Sequence, residues 1–298
     1  MKNLYKILDL SKEDIMAILD TADKLKFERK NNIPHKILEG KSIGMIFEKS
    51  STRTRVSFEV GIAELGATPL FLSSADLQIG RGEPIEDTAR VLARYLHGIM
   101  IRTFEQEKVE KLGDYSGLPI INGLTDFSHP CQVLADLMTI KEFKKDFDGL
   151  KLCYIGDGNN MCNSLVVGAL KVGMQVDIAC PEGYTPDPLV LEFAKNYPFA
   201  MYTDPKEAVK NADVIITDVW TSMGQEDETE KRKQAFAGYI LTMELLNACN
   251  DDYMVLHCLP AHREEEISTE VFEANAKYIF EEAENRLHAQ KAVMAMIF

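Results

Sequence analysis

Short β-branched or apolar runs alternate with amphipathic stretches through most of this chain. Ile43 to Phe47, Leu70 to Leu72, Ile99 to Ile101 and Pro119 to Ile121 are runs of strand length. Between and after them, Val56 to Leu65, Thr88 to Leu96, Val109 to Tyr115 and Pro130 to Phe143 are the amphipathic stretches, read as helices. Strands separated in this way predict βα units and a parallel sheet, because parallel neighbours need a crossover long enough to hold a helix. Ahead of them, Ser11-x-x-Asp14 has the form of a capping box. Ile15, Ile18, Leu19 and Ala22 follow at helical spacing, so a helix opens the chain.

Asp146-Phe147-Asp148-Gly149 interrupts the pattern, which restarts with a strand at Leu152 to Ile155, a helix at Asn163 to Val172 and a strand at Val176 to Ala179. Further strands are expected at Phe199 to Tyr202, Val214 to Thr217 and Met254 to His257. The reading is an α/β fold of two domains, each with a central parallel sheet flanked by helices, the first over residues 1–145 and the second over 146–282. A last periodic stretch, Ala283 to Met296, has no strand after it, and periodicity leaves open which domain it packs on. The polar segment Thr221 to Gly238 reads as a long loop of the kind used for lids and binding.

Composition sharpens this picture by exclusion. Hydrophobic residues at 46% and charged residues at 27% are ordinary globular values, so the chain is expected to fold throughout. Its 33 basic and 47 acidic residues leave a net charge of -14, the wrong sign for binding nucleic acid or an anionic membrane surface. An anionic ligand must then be held by cations concentrated locally. Asp9, Lys12, Glu13 and Asp14 follow the first residues too soon for a signal peptide, and no apolar run is long enough to span a bilayer. Six cysteines without a C-x-x-C pattern fit a reducing compartment and no structural zinc, so the expected location is cytoplasmic.

Ser50-Ser51-Thr52-Arg53-Thr54-Arg55 stands between an expected strand and an expected helix, where free backbone N–H groups and the positive dipole end meet. Ser51, Thr52 and Thr54 offer neutral donors, and Arg53 offers a planar fork suited to phosphate. A plain helix N-cap with two exposed arginines fits the same spacing. Arg102 follows one strand, and His129-Pro130-Cys131-Gln132 opens a helix after the next, so the three segments end on one rim of a parallel sheet, where ligands bind. Gly156-Asp157-Gly158-Asn159-Asn160 has the outline of a dinucleotide turn, with Met161 in place of the third glycine and Glu182 near the end of the next strand; a tight strand-to-helix turn fits it too. Asp218-Val219-Trp220-Thr221-Ser222-Met223-Gly224 begins at a strand end and combines an acid, a hydroxyl and a glycine hinge, as suits a substrate-closing loop or an exposed polar one. His257 and Cys258 are adjacent at a strand end and point to opposite faces, so they do not form a nucleophile and base pair.

Together with Phe47-Glu48-Lys49, Asp87-Thr88-Ala89-Arg90-Val91-Leu92, His257-Cys258-Leu259-Pro260 and Glu284-Asn285-Arg286, these motifs resemble the aspartate/ornithine carbamoyltransferase family over nearly the whole chain. The Ser222-Met223-Gly224 element resembles its ornithine branch. The resemblance implies an enzyme that moves the carbamoyl group of carbamoyl phosphate to the side-chain amine of L-ornithine, giving L-citrulline and phosphate through a tetrahedral intermediate, with no metal and no cofactor. It implies donor contacts from Ser51, Thr52, Arg53, Thr54, Arg102, His129, Gln132 and Arg286, and from Gln78 of a neighbouring subunit in a homotrimer or an assembly of trimers. Cys258 and Leu259 are implied for the donor and for the acceptor's side-chain amine, and Asn160, Asp218, Ser222 and Met223 for the rest of ornithine. Arg102, His129 and Cys258 are the implied catalytic residues, and the last helix, 283–298, is implied to pack back on the first domain. One departure is visible at Glu264, where the family more often has glycine after the arginine. From other classes, a nicotinamide dehydrogenase using the Gly156 turn and a catalytically silent anion-binding regulator remain as competing readings.

Overall fold

Ser11 starts the first helix: its Oγ accepts from Asp14 N at 3.0 Å while Asp14 Oδ2 accepts from Ser11 N at 3.0 Å, the reciprocal pair that its spacing predicts. The helix, α1 (Lys12–Lys30), buries Ile15, Ile18, Leu19 and Ala22. The computed structural model describes residues 1–74, 77, 78, 82–221 and 226–298. Two units can be distinguished, residues 1–138 with 285–298 and residues 139–284.

In the first unit β1 (Ser42–Phe47), α2 (Thr52–Glu64), β2 (Thr68–Ser73), α3 (Ile85–Leu92), β3 (Gly98–Arg102), α4 (Gln106–Ser116) and β4 (Ile120–Leu124) follow one another. The strands form a parallel four-stranded sheet ordered β2-β1-β3-β4. Ile43, Met45 and Ile46 of β1 are fully buried, and each such side chain contributes ~1.5–3 kcal/mol of transfer free energy. α5 (Pro130–Lys144) begins in this unit, and the division falls inside it.

The second unit runs β5 (Lys151–Ile155), α6 (Asn160–Val172), β6 (Gln175–Ala179), α7 (Pro188–Ala194), β7 (Phe199–Tyr202), α8 (Pro205–Ala208), β8 (Val214–Thr217), α9 (Thr229–Ala235), α10 (Met243–Leu246) and β9 (Met254–His257). Its sheet is parallel and five-stranded, ordered β7-β6-β5-β8-β9. The α/β reading with one parallel sheet per half therefore holds. No helix among the described residues is long and apolar enough to cross a membrane.

Two expectations need correction. The polar segment from Thr221 is not loop throughout, because α9 lies within it; the residue it buries is Arg232, so no apolar stripe announces the helix. The last helix, α11 (Thr269–Ile297), starts fourteen residues before Ala283. Its early turns bury Val271, Phe272, Asn275, Ile279 and Glu282, and the two polar members hide the periodicity. Both are there to satisfy β9: Asn275 Oδ1 accepts from Val255 N at 3.1 Å, and Glu282 Oε2 accepts from His257 N at 2.9 Å. Residues 285–298 group with the first unit.

Candidate active site

Because each sheet is parallel, the segments that follow its strands emerge on one edge. In the first unit these are the loop after β1, the end of β3 and the segment between β4 and α5. Ser51 caps α2, its Oγ accepting from Thr54 N at 3.2 Å and donating to Thr54 Oγ1 at 3.1 Å. Thr52 is exposed, Arg53 is partly buried and Thr54 is buried. Arg286, only 4% exposed, donates from Nη2 to Thr54 Oγ1 at 3.2 Å and from Nη1 to Gln132 Oε1 at 2.6 Å. Gln290, its amide oxygen turned toward the guanidinium, accepts from Arg286 Nε at 3.1 Å and donates to Ser57 Oγ at 2.6 Å. Gln132 passes the chain on, donating to Asp136 Oδ1 at 2.8 Å. Thr54, Gln132 and Arg286 thus form one buried network.

Arg102 ends β3 and His129 precedes α5; both are buried. Burial, reinforced by the positive charges of Arg286, Arg102 and Arg53, holds the imidazole of His129 well below its usual 6.5. His129 is accordingly neutral near pH 7. Cys131 is inert, its thiol pushed up to about 12 by burial. Gln78 is exposed, and its backbone carbonyl accepts from Glu83 N at 3.1 Å.

In the second unit Asp218 follows β8, Asn159 and Asn160 follow β5, and Cys258 follows β9. Asn159 caps α6, its Oδ1 accepting from Met161 N at 2.9 Å and Cys162 N at 3.1 Å, while its Nδ2 donates to Asp218 Oδ2 at 2.9 Å. Asp218 Oδ1 accepts from Val219 N at 2.8 Å and from the Cys258 thiol at 3.1 Å. Among the described residues the partners of this buried carboxylate are neutral donors and none is a cation. Asn160, the first residue of α6, is partly buried. Ser222 and Met223 lie outside the described residues.

His257 and Cys258 do separate as strand geometry requires. The His257 ring accepts from Leu259 N at Nδ1 (2.9 Å), which leaves Nε2–H to donate to Glu266 Oε1 (3.0 Å). Leu259, at φ 58°, sits in the left-handed region, so His257 shapes the turn that carries Leu259. Glu264, where the sequence departs from the likeness, also has positive φ, 68°. Its side chain gives something back: Oε1 accepts from Thr269 N at 2.8 Å, at the start of α11.

The Gly156 turn is closed to a dinucleotide. Gly156 has φ 148°, and a Cβ at Gly158 would stand 2.2 Å from the Thr185 carbonyl carbon, so the chain at 184–186 lies directly against the turn. Gly158 N donates to Tyr184 O at 2.8 Å, and Asn159 takes the amides of Met161 and Cys162 in the first turn of α6, so donors that a pyrophosphate needs are already used.

Residues 2–142 match the family model for the carbamoyl-P binding domain of aspartate/ornithine carbamoyltransferase, and residues 148–297 match its Asp/Orn binding domain. The chain belongs to the aspartate/ornithine carbamoyltransferase family. Within this carbamoyltransferase family, it is 55% identical over 290 residues to the ornithine carbamoyltransferase of Geobacter metallireducens, covering 96% of each chain. It is 55% identical over 304 residues to that of Methanosphaera stadtmanae, covering 100% of this chain and 99% of the relative. Among solved carbamoyltransferases, the Pyrococcus furiosus ornithine enzyme matches with a TM-score of 0.94 at 49% identity, over 99% of this chain and 96% of that one. The anabolic ornithine enzyme of Campylobacter jejuni matches with a TM-score of 0.94 at 43% identity, over 100% and 99%.

Sequence reasoning missed three residues that bond to the candidate groups or to the segments that carry them. Asn159 carried a signal, an N-cap residue one place before a helix. Gln290 and Arg232 carried none, because a buried polar residue inside a helix looks like a solvated one until the helix is packed.

Proposed function

We propose that this protein transfers the carbamoyl group of carbamoyl phosphate to the side-chain amine of L-ornithine, giving L-citrulline and phosphate. The observation that carries the reading is the cationic and hydroxyl network of the first unit, Arg286 bonded to Thr54 and Gln132 with Arg102 and Arg53 acting on a neutral His129. Such a set suits a phosphorylated donor. Ser51, Thr52, Arg53, Thr54 and Arg286 hold the phosphate, and Gln78 of a neighbouring subunit adds to them; Arg102, His129 and Gln132 contact the carbamoyl end.

The amine attacks the carbamoyl carbon with its lone pair, the carbonyl oxygen takes the negative charge, and collapse of the tetrahedral intermediate expels phosphate, which takes up the proton that the nitrogen loses. Arg102, Thr54 and an uncharged His129 stabilise that oxygen as its charge grows. An alkyl ammonium has a pKa of about 10.4, so the reacting nitrogen needs a neighbour that does not favour its charged form. Cys258 and Leu259 are uncharged neighbours, whereas Asp218, with its neutral partners, suits the α-ammonium together with Ser222. Asn160 and Met223 take the α-carboxylate.

Val56, Val60, Leu70 and Phe71 are exposed apolar side chains on α2 and the edge strand β2, which supports a homotrimer or an assembly of trimers built through that surface. A cytoplasmic location fits the cysteine usage. Assay of citrulline-type product from carbamoyl phosphate with ornithine, putrescine, aspartate and acetylornithine tests the reading: turnover with ornithine is expected, and turnover confined to another acceptor refutes it.

A further inference from the structure

Arg232 is the buried polar residue that made α9 illegible, and it contacts three other segments of its unit. Only 6% exposed, it donates from Nη1 to Asp157 Oδ2 at 2.8 Å and to Trp220 O at 2.9 Å, and from Nε to Glu228 Oε2 at 3.2 Å. Its guanidinium lies 5.1 Å from the centre of the Tyr184 ring. Trp220 stacks on Phe236 at 5.6 Å, so the carbonyl that Arg232 holds belongs to a packed residue. Asp157, itself 6% exposed, sits in the turn after β5, two residues before Asn159; Trp220 sits two residues after Asp218. One nitrogen therefore ties the segment after β5 to the segment after β8. Those are the two segments whose side chains meet in the Asn159 to Asp218 bond.

We propose that Arg232 is a positioning residue for the amino-acid acceptor: by clamping Asp157 to the Trp220 carbonyl it sets the separation of Asn160 and Asp218. This rests on the acceptor roles given to those two residues above. Burying two charges costs several kcal/mol per ion, and a well-packed apolar pair often serves stability equally well. What the ion pair adds is geometry, since the guanidinium reaches the carboxylate and the carbonyl from one fixed plane. Lysine offers the same charge without that plane.

The pair is also poised. Burial outweighs the attraction of Arg232 and, with the nearby charges of Asp218 and Glu228, raises the carboxyl of Asp157 to about 6. Tyr154 of β5 faces the same turn, its hydroxyl donating to Asp157 O at 2.9 Å. As pH falls through about 6, Asp157 takes a proton, the clamp loses its charge and acceptor affinity should fall with it.

The test uses the full chain. Steady-state kinetics are measured for wild type, R232M, R232K and D157N, with carbamoyl phosphate affinity by calorimetry and folding by thermal melt. Misplacing a binding group by about 1 Å costs on the order of 100-fold, so R232M and R232K should raise the ornithine KM roughly 10- to 100-fold. Carbamoyl phosphate affinity should stay at the wild-type value. D157N should remove an acidic limb near pH 6 from the wild-type profile of kcat/KM for ornithine. A folded R232K with the wild-type ornithine KM overturns the proposal, as does equal loss toward both substrates or a D157N profile identical to wild type. If R232M does not fold, R232K and D157N decide. Wild-type protein that forms no citrulline sinks the carbamoyl-transfer reading and this inference together, whereas an active wild type with an unchanged R232K sinks the inference alone.

Discussion

The thiol of Cys258 donates to Asp218 Oδ1 at 3.1 Å, joining residues forty positions apart at the ends of neighbouring strands. This changes the part Cys258 can play. A thiol engaged with a carboxylate is less a nucleophile in waiting than a weak donor that fixes the carboxylate's orientation. The partners of the Asp218 carboxylate among the described residues are all neutral donors.

Three substitutions separate those roles. Asp218→Asn should raise the ornithine KM by roughly 10- to 100-fold, the equivalent of a lost charge-assisted hydrogen bond, with carbamoyl phosphate affinity unchanged. Cys258→Ala should lower kcat/KM for ornithine while the protein stays folded, and Cys258→Ser, which keeps a donor, should recover part of the loss. Equal behaviour of the two Cys258 variants would demote the thiol to packing.

Donor binding should respond to a different residue. Arg53→Ala removes a partly buried guanidinium from the cationic group acting on His129, and should weaken carbamoyl phosphate by roughly 10- to 100-fold in a direct binding measurement. Ornithine-side parameters extrapolated to saturating donor should change far less.

His129 makes stability depend on pH in a predictable sense. Its folded-state imidazole titrates well below 6.5, so between those values the unfolded chain binds a proton that the native protein does not. Stability contributed by the neutral ring is complete above about pH 6.5 and is lost as pH falls below it. The melting temperature should drop from pH 7 to pH 5, and His129→Asn should flatten that drop. A steeper slope in the variant would contradict the assignment.

Glu264 offers a test of backbone against side chain. At φ 68° a glycine relieves the strain, whereas alanine keeps it, and both lose the hydrogen bond to Thr269 N. Glu264→Ala should therefore melt at a lower temperature than Glu264→Gly, with activity intact in both.

What was legible in the sequence divides along physical lines. β1, β3, β5 and β8 were readable because their apolar runs serve one purpose, burial, and the cap of α1 because Ser11 and Asp14 act locally. α9 and the first half of α11 were not, because Arg232, Asn275 and Glu282 are buried to satisfy distant partners, and a polar residue does not declare in advance that it faces inward. The same limit governed the candidate groups. Arg102 and Asp218 stand at strand ends, and Ser51, Thr54 and His129 at the helix starts that follow strands, where position alone suggests a ligand. That Asn159 steadies Asp218, or that Gln290 reaches Ser57 while it holds Arg286, depends on contacts between segments far apart in the chain. The Gly156 turn shows the converse: its outline suggested a phosphate cradle, and the packing of 184–186 against Gly158 removed that reading.

The central claim is that a local cluster of arginines and hydroxyls holds a phosphorylated donor against a molecule carrying a net charge of -14. Titration calorimetry of carbamoyl phosphate into the folded protein tests it most directly. Saturable heat whose affinity falls with added salt, and falls roughly 10- to 100-fold in Arg53→Ala, is the expected result. Absence of any binding heat in protein shown to be folded would contradict the account.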